Sequence, residues 1–385
     1  CSVSSFQPCG FRDNLWTSHW LMCEAKTEQH TQTYKKYMNL LINTPDYSKP
    51  SSGGVASFYH GMLGYWHERV KYNVVGRRHG VSGALWLPFD VVKFVLALLF
   101  FRPDAVMVNP SLKRNALRRD FVFVRVARRL GFRVVVMLHG FDLQEAETID
   151  REWVVRHLNQ ASLVLTLAER FRLMMKEWGV TSPIALTTTK VEDRMIEHFD
   201  IQRRNGEIRH LLFLARVEKE KGVYELIDTF ALLKQRHPEL TLTVAGDGSE
   251  WGPLKCYAEE RHIEGVNFTG MLNGEARIKA YQDADLFFFP SYGEGMPTVV
   301  LEAMAFGLPV ITRYVGGLCD FFEDGKMGRI TASLSPADFA ALIAPLLADK
   351  ALTQQISRYN HTYALKHFMA SEVGKNLEET IKKHL

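Results

Sequence analysis

Two glutamates with seven residues between them, Glu294 and Glu302, stand in the segment SYGEGMPTVVLEAMAFGLPVI, Ser291 to Ile311. Gly293 and Gly295 flank the first, so its carboxylate sits on backbone that a ligand can approach closely. Pro297 suits the first turn of a helix, which places Glu302 about one turn inside an otherwise apolar run. The start of that helix offers free N–H groups to an anion. A carboxylate buried in TVVLEAMAF needs partners; taken alone, it could equally stand at a solvent edge. Two cations, Arg216 and Lys221, follow the apolar run LLFLA and could neutralise an anion or simply be solvated. His139 and Gly140 follow VVVML, with Asp142 two residues on, and Gly53-Gly54 follow LLINT. A lone pair of glycines is only a turn, and a lone histidine is more often structural, so position decides their weight.

Two further patterns are set aside. Asp283-Ala284-Asp285 has the form of a metal-binding DxD, but it precedes the strand-like LFFFP and so falls at that strand's amino end. Gly246-Asp247-Gly248 lacks the third glycine of a dinucleotide fingerprint, because Trp251 occupies its place. No metal ligand set is expected. The five cysteines show no metal-ligand spacing, which fits a reducing compartment such as the cytoplasm.

Taken together and in order, these segments resemble the group 1 (family 4) glycosyltransferases. GEGMPTVVLEAMAFGLPVI followed by Val315-Gly316-Gly317 is similar to that family's donor-site block. LARVEKEKGVYELI resembles its Arg-x4-Lys-Gly phosphate segment, and VAGDGSE and VNFTGML fall in the family's order. The resemblance covers most of residues 208–318. It implies a GT-B fold, two Rossmann-like α/β domains facing across a cleft, and transfer of a hexose from a nucleotide diphosphate sugar with retention and without an obligatory metal or other cofactor. In that reading Glu302 accepts from the ribose hydroxyls, and Arg216 and Lys221 hold the diphosphate. Glu294 contacts the donor hexose beside the backbone of Gly295, Met296, Pro297 and Thr298. Leu272 or its neighbour meets the base. On the opposite wall, Gly53 and Gly54 reach the diphosphate, and His139 approaches the donor sugar. A nucleotide-sugar epimerase of the same fold, or a catalytically silent nucleotide-sugar binding module, would share much of this pattern.

The elements that would hold these residues alternate in βα fashion. Strands are expected at Tyr37–Asn43, Asp104–Val108, Phe132–Leu138 and Leu163–Leu167, then at His210–Ala215, Leu240–Ala245, Val266–Thr269, Asp285–Phe289 and Pro309–Thr312. They read as near-continuous apolar runs, as strands covered by helices on both faces do. The polar segment Glu192–Gly206 is the expected linker. The domains expected are 35–205 on the acceptor side and 206–365 on the donor side, with a helix in 366–385 crossing back to the first. Residues 1–34 carry no leader pattern and read as an irregular N-terminal extension.

Charge is uneven along the chain. Residues 35–205 hold 26 Lys/Arg against 16 Asp/Glu, while residues 206–385 hold 19 against 24. Within 71–133 the ratio is 13 to 3, so this half is expected to face something anionic. A helix over Lys113–Leu130 would gather Arg114, Arg118, Arg125 and Arg129 around Phe121, with Leu117, Phe123, Val124 and Leu130 opposite. No nucleic-acid motif accompanies these charges, which form either a solvated basic face or one that adsorbs to an anionic membrane surface; the resemblance implies a nucleotide-sugar donor and a glycan or lipid-linked acceptor as partners. The expected place is the cytoplasm, peripheral on the inner face of the membrane. Leu85–Phe101 is apolar but interrupted by Pro88, Asp90 and Lys93, and reads as buried or interfacial rather than spanning.

Overall fold

The computed structural model describes residues 37–48, 53–77, 82–140, 146 and 148–385; the extension at 1–34 and Asp142 lie outside them. Among the described residues, twelve strands form two six-stranded sheets, parallel throughout. The first holds β1 (Asn39–Thr44), β2 (Arg69–Val74), β3 (Ala105–Val108), β4 (Arg133–Leu138), β5 (Leu163–Thr166) and β6 (Ile184–Leu186), in the order β2-β1-β3-β4-β5-β6. The second holds β7 (His210–Leu214), β8 (Thr241–Ala245), β9 (Val266–Gly270), β10 (Leu286–Phe289), β11 (Val310–Arg313) and β12 (Gly328–Thr331), in the order β12-β11-β10-β7-β8-β9.

Helices connect these strands. In the first half they are α1 (Gly54–Gly61), α2 (Gly83–Phe101), α3 (Arg114–Arg129), α4 (Arg151–Leu158) and α5 (Glu169–Glu177). In the second they are α6 (Val223–Lys234), α7 (Trp251–Glu260), α8 (Gly274–Asp283), α9 (Thr298–Ala305), α10 (Pro336–Ala348), α11 (Lys350–His367) and α12 (Ala370–Lys383). Each sheet has one point where the strand order reverses, between β1 and β3 in the first and between β7 and β10 in the second. Ligands of open α/β sheets bind at the carboxyl ends of the strands beside such a point.

The central strands are fully buried on both faces, and this is why they read as unbroken apolar runs. Three strands were not expected from sequence: β2, β6 and β12. All three are sheet edges. The pattern of β2, RVKYNV, alternates exposed and covered positions, and β6 is only three residues long. Neither carries the apolar run that central strands need.

The last helix packs on the first sheet. Val373, Leu377 and Ile381 of α12 are buried with Leu40, Ile42 and Met107 of that sheet, and each such side chain contributes about 1.5–3 kcal/mol. The buried Glu378 carboxylate accepts from the backbone N–H of His67 and of Glu68, both at 2.9 Å, fixing the helix to the start of β2.

The arginine helix departs from expectation at its centre. Phe121 does not face solvent among the arginines; it is fully buried and stacked on His157, ring centroids 4.7 Å apart, beside Trp153 of α4. Leu130, expected on the packed side, is exposed. Helix α4 covers the flank that the sequence pattern leaves open, so the arginines sit on the margins of α3.

Candidate active site

The second sheet's reversal point holds an ion pair. Lys221 ends a short 3-10 turn after β7, and Glu294 lies in the loop after β10, so the two neighbouring strands deliver them to one place. Lys221 Nζ donates to Glu294 Oε1 at 2.7 Å, and Ser291 Oγ donates to the same oxygen at 2.9 Å. Gly222 makes the turn possible: its φ is +72°, and a Cβ there would lie 2.3 Å from the Pro290 carbonyl oxygen. Arg216, directly after β7 and Ala215, is exposed at the same edge.

Glu302 lies one turn into α9 and is 3% exposed. Its partners come from α8, where Arg277 and Tyr281 are one turn apart. Arg277 Nη2 donates to Glu302 Oε2, and Tyr281 O–H donates to the same atom at 2.8 Å. The carboxylate beside Arg277 raises the pKa of the guanidinium, and burial, with that carboxylate, raises the Tyr281 phenol well above its ordinary value. Both bonds take one oxygen of Glu302. Sequence reading expected partners for this carboxylate but missed these two; their i, i+4 spacing in GEARIKAY was the available signal. Leu272, just beyond β9, is half-buried against the same core.

The remaining loop residues join the two halves. A Cβ on Gly295 would lie 3.6 Å from the His139 carbonyl oxygen. Met296 packs against the cores of both halves, Pro297 caps α9, and Thr298 exchanges a 3.0 Å hydroxyl contact with Thr189. Gly316, at φ +49°, has the Gly295 carbonyl oxygen 2.1 Å from where a Cβ would stand.

On the opposite wall the reversal point of the first sheet carries a buried polar network. Asn109 follows β3 and donates through Nδ2 to the Asn43 carbonyl at 2.8 Å. That bond orients the amide, leaving Asn109 Oδ1 to accept from Tyr59 O–H at 2.6 Å and from His139 Nε2 at 3.0 Å. Burial pushes the His139 imidazole down from 6.5 to about 3, so it is neutral at pH 7. With its proton on Nε2, Nδ1 is left as an acceptor. Asn109 stood out in the sequence as the polar residue that follows the strand run AVMV; Asn43, within β1, and Tyr59, within α1, were not singled out.

Gly53 and Gly54 lie apart from these clusters, exposed at the N-terminus of α1, with nothing within 4 Å of a Cβ at either. Asp285, of the rejected DxD, accepts from the backbone N–H of Arg209 and of His210, both at 2.9 Å, at the amino end of β10.

Two facing parallel sheets with polar groups gathered at their carboxyl edges form the GT-B arrangement. The family model for "Glycosyl transferases group 1" matches residues 195–362. The teichuronic acid biosynthesis glycosyltransferase TuaC of Bacillus subtilis, so named putatively, is 30% identical over 302 residues, 73% of this chain and 70% of that one. The glycogen synthase of Mycobacterium tuberculosis is 34% identical over 149 residues, 38% of this chain; the matched stretch spans only 36% of that enzyme. The solved structure of Anabaena HepE with UDP and glucose has the same fold, with a TM-score of 0.66 at 19% identity over 90% of this chain and all of that one. The chain belongs to the group 1 glycosyltransferases.

Proposed function

We propose that the chain moves a hexose from a nucleoside diphosphate sugar to the hydroxyl of a glycan or lipid-linked acceptor, with retention, in the synthesis of a cell-surface polysaccharide or glycolipid. The observation that carries this is the placement of Lys221, Glu294 and the Glu302–Arg277–Tyr281 cluster around the carboxyl end of one sheet. Arg216 and Lys221 neutralise the diphosphate as it leaves, an electrostatic role set before reaction. Glu302 offers its second oxygen, Oε1, to the ribose hydroxyls. Glu294 faces the hexose beside the Gly295–Thr298 backbone, and Leu272 meets the base. From the other wall, His139 Nδ1 accepts from a sugar hydroxyl, and Gly53 and Gly54 approach the diphosphate.

In the transfer, the bond from the anomeric carbon to the phosphate oxygen breaks and a bond to the acceptor oxygen forms on the same face. The acceptor's proton passes to the departing phosphate, so neither carboxylate serves as a glycosidase acid or base. No metal takes part. HepE was solved with UDP and glucose, which puts uridine diphosphate sugars first among donors to try. The name of TuaC, from teichuronic acid biosynthesis, supports a biosynthetic setting; the place of action proposed is the cytoplasmic face of the membrane.

The test is product analysis with UDP-, GDP-, ADP- and TDP-sugars, with and without acceptor and with EDTA. Release of nucleoside diphosphate together with an acceptor glycoside of unchanged anomeric configuration is expected, and it should survive EDTA. An epimerised sugar nucleotide without acceptor would replace this reading with an epimerase; loss in EDTA restored by manganese would contradict the metal-free step.

A further inference from the structure

Helix α2 leaves one face bare. Leu85, Phe89, Val92, Leu96, Leu99 and Phe100 recur at helical spacing and are 47–82% exposed. Single exposed apolar residues are ordinary, but a continuous stripe along a helix roughly 28 Å long marks a binding face. The helix is long and apolar enough to cross a membrane, with a mean hydropathy of 2.0. Its other face rules that geometry out. Asp90, Phe94, Ala97 and Leu98 are buried, and Asp90 Oδ2 accepts from the Gly76 backbone N–H at 2.9 Å. It is the crossover between β2 and β3, held in the helical layer of the first sheet.

A cavity of about 960 Å³ adjoins the N-terminal ends of α2 and α3. Arg77, Lys113, Arg114, Arg118 and Arg119 line it with Leu87, and no carboxylate does among the described residues. Arg119 is engaged by Asp120 at 2.7 Å; the others bring cationic charge to the cavity. This volume is at the upper end of small-molecule sites, roughly 300–1,000 Å³. Because both helices begin here, the cavity lies at the carboxyl edge of the first sheet. Lys113 is four residues beyond Asn109, the residue that holds His139.

We propose that the α2 stripe lies in the surface of an anionic bilayer and that the neighbouring cavity takes the phosphate-bearing head group of a lipid in that bilayer. The inference deepens the lipid-linked acceptor reading and rests on it for the purpose of the site. Hydrocarbon complements the stripe and phosphate complements the cations, and an anionic amphiphile supplies both at once. A nucleic acid would satisfy the cations and leave the stripe in water; a second copy of the chain would set like charges together.

Flotation tests this, with vesicles of phosphatidylcholine alone and of phosphatidylcholine mixed with phosphatidylglycerol. The protein should float with the mixed vesicles only, and less as salt rises. Two variants separate the parts: Phe89→Asn/Leu96→Asn/Phe100→Asn for the stripe and Lys113→Glu/Arg118→Glu for the cavity. Each should lower vesicle affinity by about tenfold or more. Thermal melts would show that both fold, and calorimetric UDP affinity should match that of the parent. Equal recovery with neutral vesicles, or a cavity variant that floats like the parent, would overturn the head-group site. A stripe variant that keeps parental vesicle binding, whether or not it turns a dimer into a monomer, would overturn the bilayer role of α2. Absence of binding of UDP, GDP, ADP and TDP alike in the parent would instead sink the donor reading while the vesicle result stands on its own.

Discussion

The neutral state of His139 ties activity and stability to pH in a defined direction. Its folded pKa lies near 3 and its unfolded value near 6.5, so between these the unfolded chain binds the proton that the folded chain refuses. The contribution is therefore intact above 6.5 and lost as pH falls toward 3. In urea unfolding, the stability of the parent relative to His139→Gln should be largest at neutral pH and shrink by about pH 4.5; parallel pH profiles would show that the imidazole is not buried as described. Arg277 gives a second expectation. Arg277→Met strands a buried carboxylate, so stability should drop by about 3 kcal/mol, and Arg277→Met/Glu302→Gln should recover part of it. Chemical denaturation measures both, and an additive double variant would deny the coupling. The need for these partners was legible in the apolar setting of Glu302. Their identity was not, because Arg277 and Tyr281 lie 25 and 21 residues before it, and only the packing of α8 on α9 brings them together.

Among the elements, the turn at Gly222 has a double constraint, a left-handed φ and the Pro290 carbonyl 2.3 Å from any Cβ. Gly222→Ala should shift Lys221 away from Glu294 and lower turnover well before it unfolds the domain, which steady-state kinetics beside a melting curve would resolve. Normal turnover would mean the turn does not set the site. Helix α12 is the other sensitive element. Leu377 is 1% exposed against the first sheet, and Leu377→Ala should cost about 2–5 kcal/mol. The central strands were readable because burial on both faces demands unbroken apolar runs. The edge strands β2, β6 and β12 were not, since one flank of an edge has no neighbour to demand anything. The arginine helix misled for a related reason: periodicity shows where charges fall, but not that Trp153 and His157 of α4 cover Phe121 between them.

At the scale of the whole molecule, the two halves differ in charge, and the difference now has places. Of the basic residues in 71–133, Arg77, Lys113, Arg114, Arg118 and Arg119 line the cavity between α2 and α3, while the second half sets three charges, Lys221, Arg216 and Glu294, at one sheet edge. The order of motifs in the second half pointed from sequence to the residues that the fold gathers at that edge. The first half carried fewer such marks, and its network of Asn43, Tyr59, Asn109 and His139 emerges only from the fold. We infer that the carboxyl edge of the second sheet binds a nucleoside diphosphate through Glu302. Calorimetric titration of UDP, GDP, ADP and TDP into the parent and into Glu302→Ala and Glu302→Gln tests it most directly. One of these nucleotides should bind the parent, and both variants, still folded by their melting curves, should bind it about tenfold or more weakly, as loss of a charge-assisted hydrogen bond requires. Equal affinity in parent and variants, or no nucleotide bound by the parent at all, would contradict it.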